Sequence, residues 1–481
     1  MSEKKITIEE LGRFAADKGF IYGPEPEIYN GIAGFYTYGP LGKKLKNNIE
    51  NAIRKTFTKH EIWEVECPTV MPEIVWKASG HLESFSDRII LCSKCKANFR
   101  IDKLIEEQYN KKVPVKEELN FLKKQKAKCP NCQGEFIWET KKHELMMKTK
   151  IGLGTIAYNR PETATTTYLP VIRYIKFFRN KTPFGVFQIG KAYRNELSPR
   201  QNVLRGREFT QAEAQIFLLE EEKNNFELFE RVKKKKLPLL KEGANKIEEI
   251  SLEEALKKKY LKTKAYAWTL ALAYETYLNM GIEKEQIRLR QHEQDERAFY
   301  ALDAWDLEVN MKSLGWIEMC GIHDRADYDL KQHEQFSKKN LKCEGKYLHI
   351  LEIAFGTDRP CLALLDNAHH DDKERGNIVL KLKASIAPIQ LGIFPLVNKL
   401  EKEAYELYEN TLEEFSTIFD KSGSIGRRYA RADELGIPFC ITIDFDTLKD
   451  KAVTIRDRNT TKQERVKIKD LPKRLKELLE N

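Results

Sequence analysis

Residues 186–217 contain two segments of alternating polar and apolar residues, joined by the polar loop Leu197–Val203. Successive side chains of a β-strand point to opposite faces, so this alternation predicts two antiparallel strands. The side chains predicted to share one polar surface are Arg194 and Glu196 from the first strand and Arg205, Phe209, Gln211 and Glu213 from the second. We therefore expect the fold to contain a sheet with one strongly charged face.

This charged surface has two interpretations. It is costly to bury without a ligand, and it suits a nucleotide with an ammonium group nearby. A guanidinium group binds two phosphate oxygens at once, and an aromatic ring stacks on a purine. The surface is equally compatible with an exposed sheet face on which opposite charges form salt bridges. The strand pattern alone leaves both interpretations open.

Length and composition limit the class of protein. The chain has 481 residues, enough for about three domains and a large core. No apolar run reaches the roughly 20 residues of a membrane helix, and the charged N-terminus lacks the apolar segment of a signal peptide. We therefore expect a cytoplasmic protein without a membrane partner. The net charge of +10 fits either a polyanionic partner such as nucleic acid or a lysine-rich solvated surface.

Four of the nine cysteines form two CxxC pairs, Cys92 with Cys95 and Cys129 with Cys132. In a large chain without a secretion signal, such pairs favour metal binding over disulfides. Four thiolates suit a closed tetrahedral Zn²⁺ site, which is structural and not catalytic. The spacing between the pairs is longer than in compact zinc ribbons, so reduced thiols without a metal remain an alternative.

The strand pair also resembles a known family. RNE and REFTQAE, residues 194–196 and 207–213, resemble motif 2 of class II aminoacyl-tRNA synthetases in its glycyl form. Further stretches resemble the same family along nearly the whole chain: GFYTYGPLG (34–42), ECPTVMP (66–72, like motif 1), ASGHLESFSD (78–87), FRIDKLIE (99–106), RPETATTTYLPV (160–171), RLRQHEQDERAFYALDAWDLE (288–308), GWIEMCGIHDRADYDL (315–330), LEIAFGTDR (351–359, like motif 3) and IAPIQLGIFPL (386–396).

The resemblance implies an α/β (α+β) fold, with a class II antiparallel sheet flanked by helices, insertions and a C-terminal α/β anticodon-binding domain. It implies the activity of a glycine–tRNA ligase, with ATP, glycine, Mg²⁺ and tRNA(Gly) as ligands, and motif 1 implies a homodimer. The implied division is 1–86 core with motif 1, 87–150 cysteine-bearing insertion, 151–219 core with motif 2, 220–285 charged and mostly helical insertion, 286–370 core with motif 3, 371–383 linker, and 384–481 anticodon-binding domain.

The resemblance also assigns residues to the two substrates. Arg194 and Arg359 are the implied catalytic residues, since cations there stabilise charge that develops on the α-phosphate. The full ATP set is Arg194, Asn195, Glu196, Leu204, Arg205, Phe209, Glu318, Met319, Gly356 and Arg359, with Glu318 expected to act through Mg²⁺. The glycine set is Arg100, Glu162, Phe209, Gln211, Glu213, Glu352 and Gly356. The three acids are expected to hold the ammonium group, and exclusion of larger substrates by size removes the need for an editing domain.

The chain departs from the family pattern in the glycine pocket. Ala354 stands where the family has a serine that helps to hold the pocket, and Thr165 and Thr166 replace glutamine and glycine. We expect an active enzyme with a higher KM for glycine. In the C-terminal domain, contacts with tRNA are predicted for Arg427, Arg428, Arg431, Arg456 and Arg458, although a solvated surface explains each arginine alone.

Three competing interpretations are weaker. Another class IIa synthetase, prolyl or threonyl, conflicts with the three pocket acids and REFTQAE. A catalytically silent nucleic-acid-binding relative has no need for the intact Arg194, Glu196 and Arg359. Class I synthetases and P-loop kinases lack support, because HIGH, KMSKS and GxxxxGK[ST] are absent from the sequence.

Overall fold

The structure is a computed structural model that describes residues 5–197, 199, 201–294, 296 and 301–480. Its strands are β1 (Ile21–Tyr22), β2 (Thr37–Tyr38), β3 (Ile62–Glu64), β4 (Val70–Pro72), β5 (Ser86–Cys92), β6 (Asn98–Arg100), β7 (Phe136–Glu144), β8 (Met147–Ile151), β9 (Thr155–Asn159), β10 (Phe184–Tyr193), β11 (Glu208–Leu218), β12 (Lys236–Leu240), β13 (Glu248–Ser251), β14 (Ile287–Gln291), β15 (Asp303–Met311), β16 (Gly315–Ala326), β17 (His349–Gly356), β18 (His369–Asp372), β19 (Asn377–Leu380), β20 (Leu391–Pro395), β21 (Thr417–Phe419), β22 (Phe439–Ile443), β23 (Ala452–Asp457) and β24 (Gln463–Lys467).

The α-helices are α1 (Ile8–Asp17), α2 (Pro40–Lys59), α3 (Glu73–Ala78), α4 (His81–Ser84), α5 (Ile101–Tyr109), α6 (Glu118–Lys124), α7 (Ala164–Tyr168), α8 (Val171–Phe177), α9 (Leu252–Lys257), α10 (Lys264–Asn279), α11 (Tyr328–Ser337), α12 (Asp358–Ala368), α13 (Glu401–Leu412), α14 (Ile425–Glu434), α15 (Thr447–Asp450) and α16 (Leu471–Glu480). None of these helices, within the described residues, is both long and apolar enough to cross a membrane.

A nine-stranded sheet organises the first three quarters of the chain, in the order β13-β12-β14-β15-β16-β17-β11-β10-β3. All neighbouring strands are antiparallel except β12 with β14 and β10 with β3. The predicted fold class, an antiparallel sheet flanked by helices, is confirmed.

The two faces of this sheet differ in chemistry because its central strands alternate strictly. On β11, Ala212 and Ala214 belong to the main apolar core, which also includes buried side chains of α2, α10 and α12. Gln211, Glu213 and Gln215 point to the opposite face and are buried as polar groups. The sheet therefore presents an apolar face to three helices and a polar face to the candidate site.

The region 220–285 differs from the charged surface insertion predicted for it. Its strands β12 and β13 extend the nine-stranded sheet, and its helix α10 is buried around most of its circumference. Thr263 caps α10 by accepting a hydrogen bond from the Tyr266 amide. The charges that suggested a surface lie on the short segments before α10, whereas the sequence of α10 itself, KAYAWTLALAYETYLN, is rich in alanine and aromatic residues.

The region 371–383 is also more ordered than the predicted linker. Strands β18 and β19 form a hairpin whose turn includes Arg375. The Arg375 guanidinium donates to Asp433 Oδ2 at 3.2 Å and to the Arg458 carbonyl at 2.7 Å. These bonds fix the hairpin to the C-terminal domain, which the polar and charged sequence DDKERGN did not indicate.

The C-terminal domain has a five-stranded mixed sheet in the order β21-β20-β22-β23-β24, with its own apolar core. Strands β20, β22 and β23 and helices α13, α14 and α16 form the α/β arrangement that the resemblance implies. The short strands β21 and β24 lie at the two edges of the sheet.

The cysteine-bearing region contains a three-stranded sheet, β6-β5-β7, and the helices α5 and α6 around a small apolar core. Strand β6 ends at Arg100, one of the residues predicted to bind glycine. This region therefore contributes a wall to the site on the polar face of the large sheet.

Candidate functional site

A cavity of about 560 Å³ lies over the polar face of the nine-stranded sheet. Most of the residues predicted to bind ATP or glycine line it: Arg100, Glu162, Arg194, Glu196, Leu204, Arg205, Phe209, Gln211, Glu213, Glu318, Met319, Glu352, Gly356 and Arg359. Asn195 lies outside this lining, because its amide Nδ2 donates to the Glu144 carbonyl at 3.2 Å. Residues that are far apart in the sequence thus meet in one concave site.

The strands of the predicted hairpin are shorter than expected at the cavity end. Strand β10 ends at Tyr193 and β11 begins at Glu208, so Arg194, Glu196 and Arg205 lie in the connecting segment. The Arg194 amide still donates to the Arg207 carbonyl at 2.9 Å, which extends the pairing by one residue. The prediction that these side chains share a surface with Phe209 is consistent with the lining, although the strand alternation explains only part of it.

The Arg194 guanidinium lies between two aromatic rings. Its central carbon is 5.4 Å from the Phe85 ring centroid and 5.3 Å from that of Phe209. Arg194 Nε donates to the Pro161 carbonyl at 3.1 Å. A cation held by rings and a backbone carbonyl keeps its full charge for an anionic ligand.

Two further arginines face the same part of the cavity. Arg359, in the first turn of α12, donates to the carbonyls of Leu204 at 3.2 Å and Glu318 at 2.8 Å. Its nearest carboxylate oxygen, Glu318 Oε1, is 3.7 Å away. Arg205 is half-buried, and its guanidinium has no hydrogen-bond or salt-bridge partner among the described residues. This end of the cavity therefore has an excess of positive charge beside a helix N-terminus, which is the arrangement that binds phosphate.

Asp358, the first residue of α12, bonds this helix to the neighbouring elements. One of its oxygens accepts from Lys46 Nζ at 2.5 Å and Tyr38 Oη at 2.6 Å, and the other accepts from the Thr210 amide at 2.6 Å. All four groups are largely buried. The N-terminal segment is thereby bonded to both strand β11 and helix α12, which fixes the position of Arg359.

The opposite end of the cavity contains the three predicted acids, which differ in their partners. Glu213 accepts from the Thr163 hydroxyl and from Gln211 Nε2, and no cationic group among the described residues forms a salt bridge with it. Burial, with the negative charges of Glu352 and Glu162, raises the pKa of Glu213 to about 8. Glu213 is thus the acid that lacks a counter-charge.

Glu352 and Glu162 are compensated within the protein. Glu352 accepts from Tyr168 Oη at 2.9 Å, from His323 Nδ1 at 3.1 Å and from Arg325 at 3.3 Å. Burial would raise the pKa of Glu352, but the Arg325 charge and the His323 hydrogen bond outweigh it and lower the pKa to about 2.

For Glu162, burial likewise opposes the charges of His81 and Arg325 and the Thr165 hydrogen bond. The net effect holds its pKa well below its usual range. Both carboxylates are therefore ionised at neutral pH, in contrast to Glu213.

The position of Arg100 is set by two acids of the cysteine-bearing region. Its guanidinium donates to both oxygens of Asp102, at 3.1 and 2.7 Å, and lies 3.3 Å from Asp87 Oδ1. Asp87 also lines the cavity. The charge of Arg100 is therefore neutralised, and its side chain is held in place at the edge of the cavity.

Several cavity residues were not predicted from the sequence. They include Phe85, Asp87, Gly321, His323 and Arg325. Gly321, His323 and Arg325 were nevertheless recoverable, because they are spaced by two in an alternating segment and hence share a face of β16. Phe85 and Asp87 follow a helix of one turn, so no periodic pattern marks them.

Comparison with known proteins assigns the family. The description "tRNA synthetase class II core domain (G, H, P, S and T)" matches residues 160–368, and "Anticodon binding domain" matches residues 390–478. A glycine–tRNA ligase of Methanocaldococcus jannaschii is 38% identical over 580 aligned positions, covering 99% of this chain and 100% of that protein. One from Pyrococcus abyssi is 38% identical over 573 positions, covering 100% of both chains. The chain belongs to the glycine–tRNA ligase family.

Solved structures of other class II synthetases share the fold. A threonyl-tRNA synthetase structure from Cryptosporidium parvum, titled as its RNA-binding domain, has a TM-score of 0.62 at 17% identity, covering 97% of this chain and 98% of that one. A prolyl-tRNA synthetase from the same organism, solved with halofuginone and AMPPNP, has a TM-score of 0.60 at 14% identity, covering 100% and 77%. At these identities the likeness concerns the fold alone.

Two departures from the glycine–tRNA ligase pattern are integrated into the buried structure. The Thr165 hydroxyl donates to Glu162 Oε1 at 2.9 Å. The Thr166 hydroxyl donates to the Thr163 carbonyl at 2.9 Å and accepts from Arg160 at 3.2 Å. Both threonines therefore help to fix the loop that carries Glu162. The third departure, Ala354, lies in the cavity floor.

The four paired cysteines form one cluster. Their Sγ atoms all lie within 4.8 Å of one another, with Cys92–Cys132 and Cys95–Cys129 separations of 3.6 Å. Tetrahedral Zn²⁺–thiolate geometry places sulfur atoms about 3.8 Å apart. Gly134 lies beside the cluster, and a Cβ there would come within 3.2 Å of Cys132 Sγ. The donor set and its spacing fit Zn²⁺.

The five arginines predicted to contact tRNA separate into two groups in the anticodon-binding domain. Arg428, Arg456 and Arg458 are buried, and their guanidinium groups bond to backbone carbonyls or to Asp433. This placement corrects the prediction for these three, because groups engaged inside the domain are not presented to a ligand. Arg427 is exposed, and Arg431 is partly exposed and paired with Asp420. A sequence pattern does not distinguish an arginine that braces a domain from one that binds.

Proposed function

We propose that this chain activates glycine with ATP and transfers it to tRNA(Gly), releasing pyrophosphate and AMP. The observation that carries the proposal is the division of one cavity into a guanidinium-rich end and an acid-rich end. Adenylate formation requires that division, because a polyphosphate and an ammonium group must be held side by side. The glycine–tRNA ligase relatives, which align over the full chain, support the same reaction.

At the ATP end, Arg194 stabilises the negative charge that grows on the α-phosphate as the glycine carboxylate attacks. Arg205 and Arg359 hold the remaining phosphates. Phe209 contacts Arg194 with one face of its ring and stacks on the adenine with the other. Mg²⁺, the metal of class II synthetases, would be held at Glu318 and would neutralise phosphate charge. No general base is needed, since the attacking carboxylate is already ionised.

At the glycine end, Glu213 receives the ammonium group. It is the acid without a counter-charge, and a cation would offset the cost of ionising it in a buried site. Glu162 and Glu352 already have cationic or hydrogen-bonding partners, so they shape the pocket around Glu213. The expectation that three acids hold the ammonium group is thereby narrowed to one principal acceptor, Glu213.

Two other activities are disfavoured. A prolyl or threonyl specificity rests only on fold similarity to solved structures at 14–17% identity. A silent nucleic-acid-binding relative would not retain three arginines clustered at one end of a cavity, because such a cluster is unfavourable without an anion.

We further propose a structural Zn²⁺ held by Cys92, Cys95, Cys129 and Cys132. The metal would fold the region that carries Arg100 to the cavity wall. About one equivalent of zinc per chain is expected by elemental analysis, with Cys132→Ser losing it and Cys343→Ser, a buried cysteine outside the cluster, retaining it. Zinc-free wild-type protein after expression with added zinc would contradict the assignment.

We also propose a homodimer assembled through the edge strand β3. A groove of about 540 Å³ beside this strand is lined by aromatic side chains, among them Trp63 and Phe177, which are 55% and 63% exposed. Their rings contact each other edge to face at 5.6 Å. Exposed aromatic residues at an unpaired edge strand favour association. Trp63→Glu is expected to give monomers in light scattering, whereas Leu448→Glu, at an exposed apolar control position of the C-terminal domain, is expected to leave the dimer intact.

The remaining assignments concern tRNA and location. Residues 390–478 match an anticodon-binding domain, which makes the exposed Arg427 a candidate for tRNA contact. A cytoplasmic location is supported by the tRNA substrate and by four clustered thiols that require a reducing compartment.

The direct test of the proposed function is charging of a tRNA(Gly) transcript with labelled glycine. We expect ATP-dependent formation of an alkali-labile glycyl ester on the 3′ nucleotide of tRNA(Gly), with tRNA(Pro) and tRNA(Thr) transcripts as uncharged controls. Failure to charge tRNA(Gly), with an active synthetase as positive control, would contradict the proposal.

A further inference from the structure

Small residues form the floor of the acid-rich end of the cavity. Across three neighbouring strands, Glu213 of β11 is directly opposite Ala354 of β17, and Ala354 is directly opposite Gly321 of β16. In the adjacent row, Glu352 is directly opposite His323. All five side-chain positions share the polar face of the sheet, so His323 is a diagonal neighbour of Ala354.

The His323 ring leans across this floor. A Cβ atom added to Gly321 would lie 2.6 Å from His323 Cε1, so the ring occupies the space directly above the glycine. The side chain is 19% exposed and lines the cavity. A larger residue at position 321 would displace the ring.

The same ring makes a polar contact with the pocket. His323 Nδ1 lies 3.1 Å from Glu352 Oε1, within hydrogen-bond distance. Glu352 also retains Tyr168 and Arg325 as partners, so loss of the imidazole would not leave a buried carboxylate unpaired. His323 is therefore removable without the penalty of an orphaned charge.

Ala354, between Glu213 and Gly321 on this floor, supplies no hydroxyl to the pocket, so His323 is the polar side chain beside it. We propose that His323 positions the glycine pocket, orienting Glu352 through Nδ1 and closing the space above Gly321 against amino acids with side chains. The inference rests on the proposed glycine site and adds a positioning and specificity residue to it. The imidazole thus has two separable roles, one polar and one steric.

Two substitutions separate these roles. His323→Ala removes both the ring and the hydrogen bond. His323→Asn places an amide nitrogen near the position of Nδ1 and removes most of the ring. Ala354→Ser, combined with His323→Ala, adds a hydroxyl at the diagonal neighbour of position 323. Each variant is measured in ATP–pyrophosphate exchange with glycine, alanine and serine, with thermal melting to confirm folding.

For His323→Ala we expect the KM for glycine to rise about tenfold, the effect of one lost hydrogen bond to a charged group. We expect kcat to change by less than about twofold, because the ATP end is untouched. The preference for glycine over alanine should fall by about tenfold or more, the scale at which a pocket discriminates one methyl group. His323→Asn should keep the KM for glycine near the wild-type value and still lose discrimination.

The combined variant tests the polar role of the imidazole. In the His323→Ala background, Ala354→Ser should recover most of the loss in the KM for glycine, because its hydroxyl restores a polar group at the floor. An unchanged KM and unchanged alanine discrimination in both folded His323 variants would overturn the inference. If instead the wild type itself showed no exchange with glycine, the proposed function would be wrong, and the two failures are thereby distinguished.

Discussion

The arginines of the cavity and those of the anticodon-binding domain differ in their partners. In the cavity, Arg194 and Arg359 are held by backbone carbonyls and aromatic rings, with the nearest carboxylate to Arg359 at 3.7 Å. In the C-terminal domain, Arg456 donates to both oxygens of the buried Asp433, at 2.8 and 3.0 Å. The first group keeps net positive charge for a ligand, whereas the second is neutralised inside the fold.

This difference gives a criterion for assigning arginines to function. Carbonyls and rings orient a guanidinium without cancelling its charge, and a buried carboxylate cancels it. By this criterion, loss of a cavity arginine should reduce catalysis and spare stability, whereas loss of Asp433 should do the reverse. The predictions below test that separation in order of expected effect.

The largest effect is expected for Arg194→Ala. Loss of the cation should lower the kcat for glycine-dependent pyrophosphate exchange by about a thousandfold or more, the scale of an arginine that stabilises a phosphoryl transition state. The melting temperature should change little, because no carboxylate loses its partner. Arg194→Lys is the matched variant, and it should recover only part of the activity, because lysine lacks the planar fork. Exchange within tenfold of wild type in the alanine variant would contradict this role.

The second largest effect is expected for Asp433→Ala, as a loss in the free energy of unfolding. It leaves Arg456 and Arg375 without their shared carboxylate in a buried setting, which costs about 3–5 kcal/mol. Denaturant unfolding measures the loss. Asp420→Ala is the control, because Asp420 pairs with the partly exposed Arg431, and it should cost less than about 1 kcal/mol. Equal losses in the free energy of unfolding for the two substitutions would contradict the distinction between arginines paired inside the domain and arginines at its surface.

A smaller effect is expected from pH on glycine binding. Burial and the charges of Glu352 and Glu162 raise the pKa of Glu213 to about 8, and Arg194 only partly offsets them. Below that pH the carboxyl is neutral and binds an ammonium group poorly; above it the carboxylate is formed. The KM for glycine should therefore fall more than about tenfold between pH 6.5 and 8.5. The profile should be flat in Glu213→Gln, and a wild-type KM independent of pH would contradict the assignment of Glu213.

The smallest effect is expected for Arg427→Ala. Removal of one exposed phosphate-binding cation should weaken tRNA(Gly) binding a few-fold and reduce the slope of log affinity against log salt by about one. Filter binding at several salt concentrations measures both quantities. Arg474→Ala, whose guanidinium is engaged by Glu464, is the control and should leave the slope unchanged. A slope unaffected by Arg427→Ala would place the tRNA contact elsewhere.

The resemblance to class II synthetases implied the fold class, and the regular alternation of residues 186–217 predicted the antiparallel pair β10 and β11. The sequence did not predict the burial of α10, because the charges around Lys233–Lys236 obscured a helix of alanine and aromatic residues. Nor did it predict the ordered hairpin at 371–383, whose stability comes from the distant Asp433 and not from its own polar sequence. A local sequence pattern does not reveal which distant residues a segment will contact in the fold.

The site shows the same limit. Motif resemblance located most of the cavity residues, since they follow fixed positions around strands β11 and β17. It did not distinguish the uncompensated Glu213 from the neutralised Glu352, because Arg325 and His323 approach Glu352 from another strand. Likewise, the burial of Arg458 depends on the carbonyls of Gly436 and Leu382, which no arginine-centred pattern contains.

The measurement that tests the central claim most directly is ATP–pyrophosphate exchange by the wild-type protein with each of the twenty amino acids. We predict exchange with glycine alone, because the uncompensated Glu213 accepts an ammonium group and the His323 ring fills the space above Gly321 that a side chain would need. Exchange with a different amino acid in place of glycine would contradict the pocket assignment while leaving the ATP end intact. Absence of exchange with every amino acid, with and without tRNA, would contradict the catalytic role of the cavity itself.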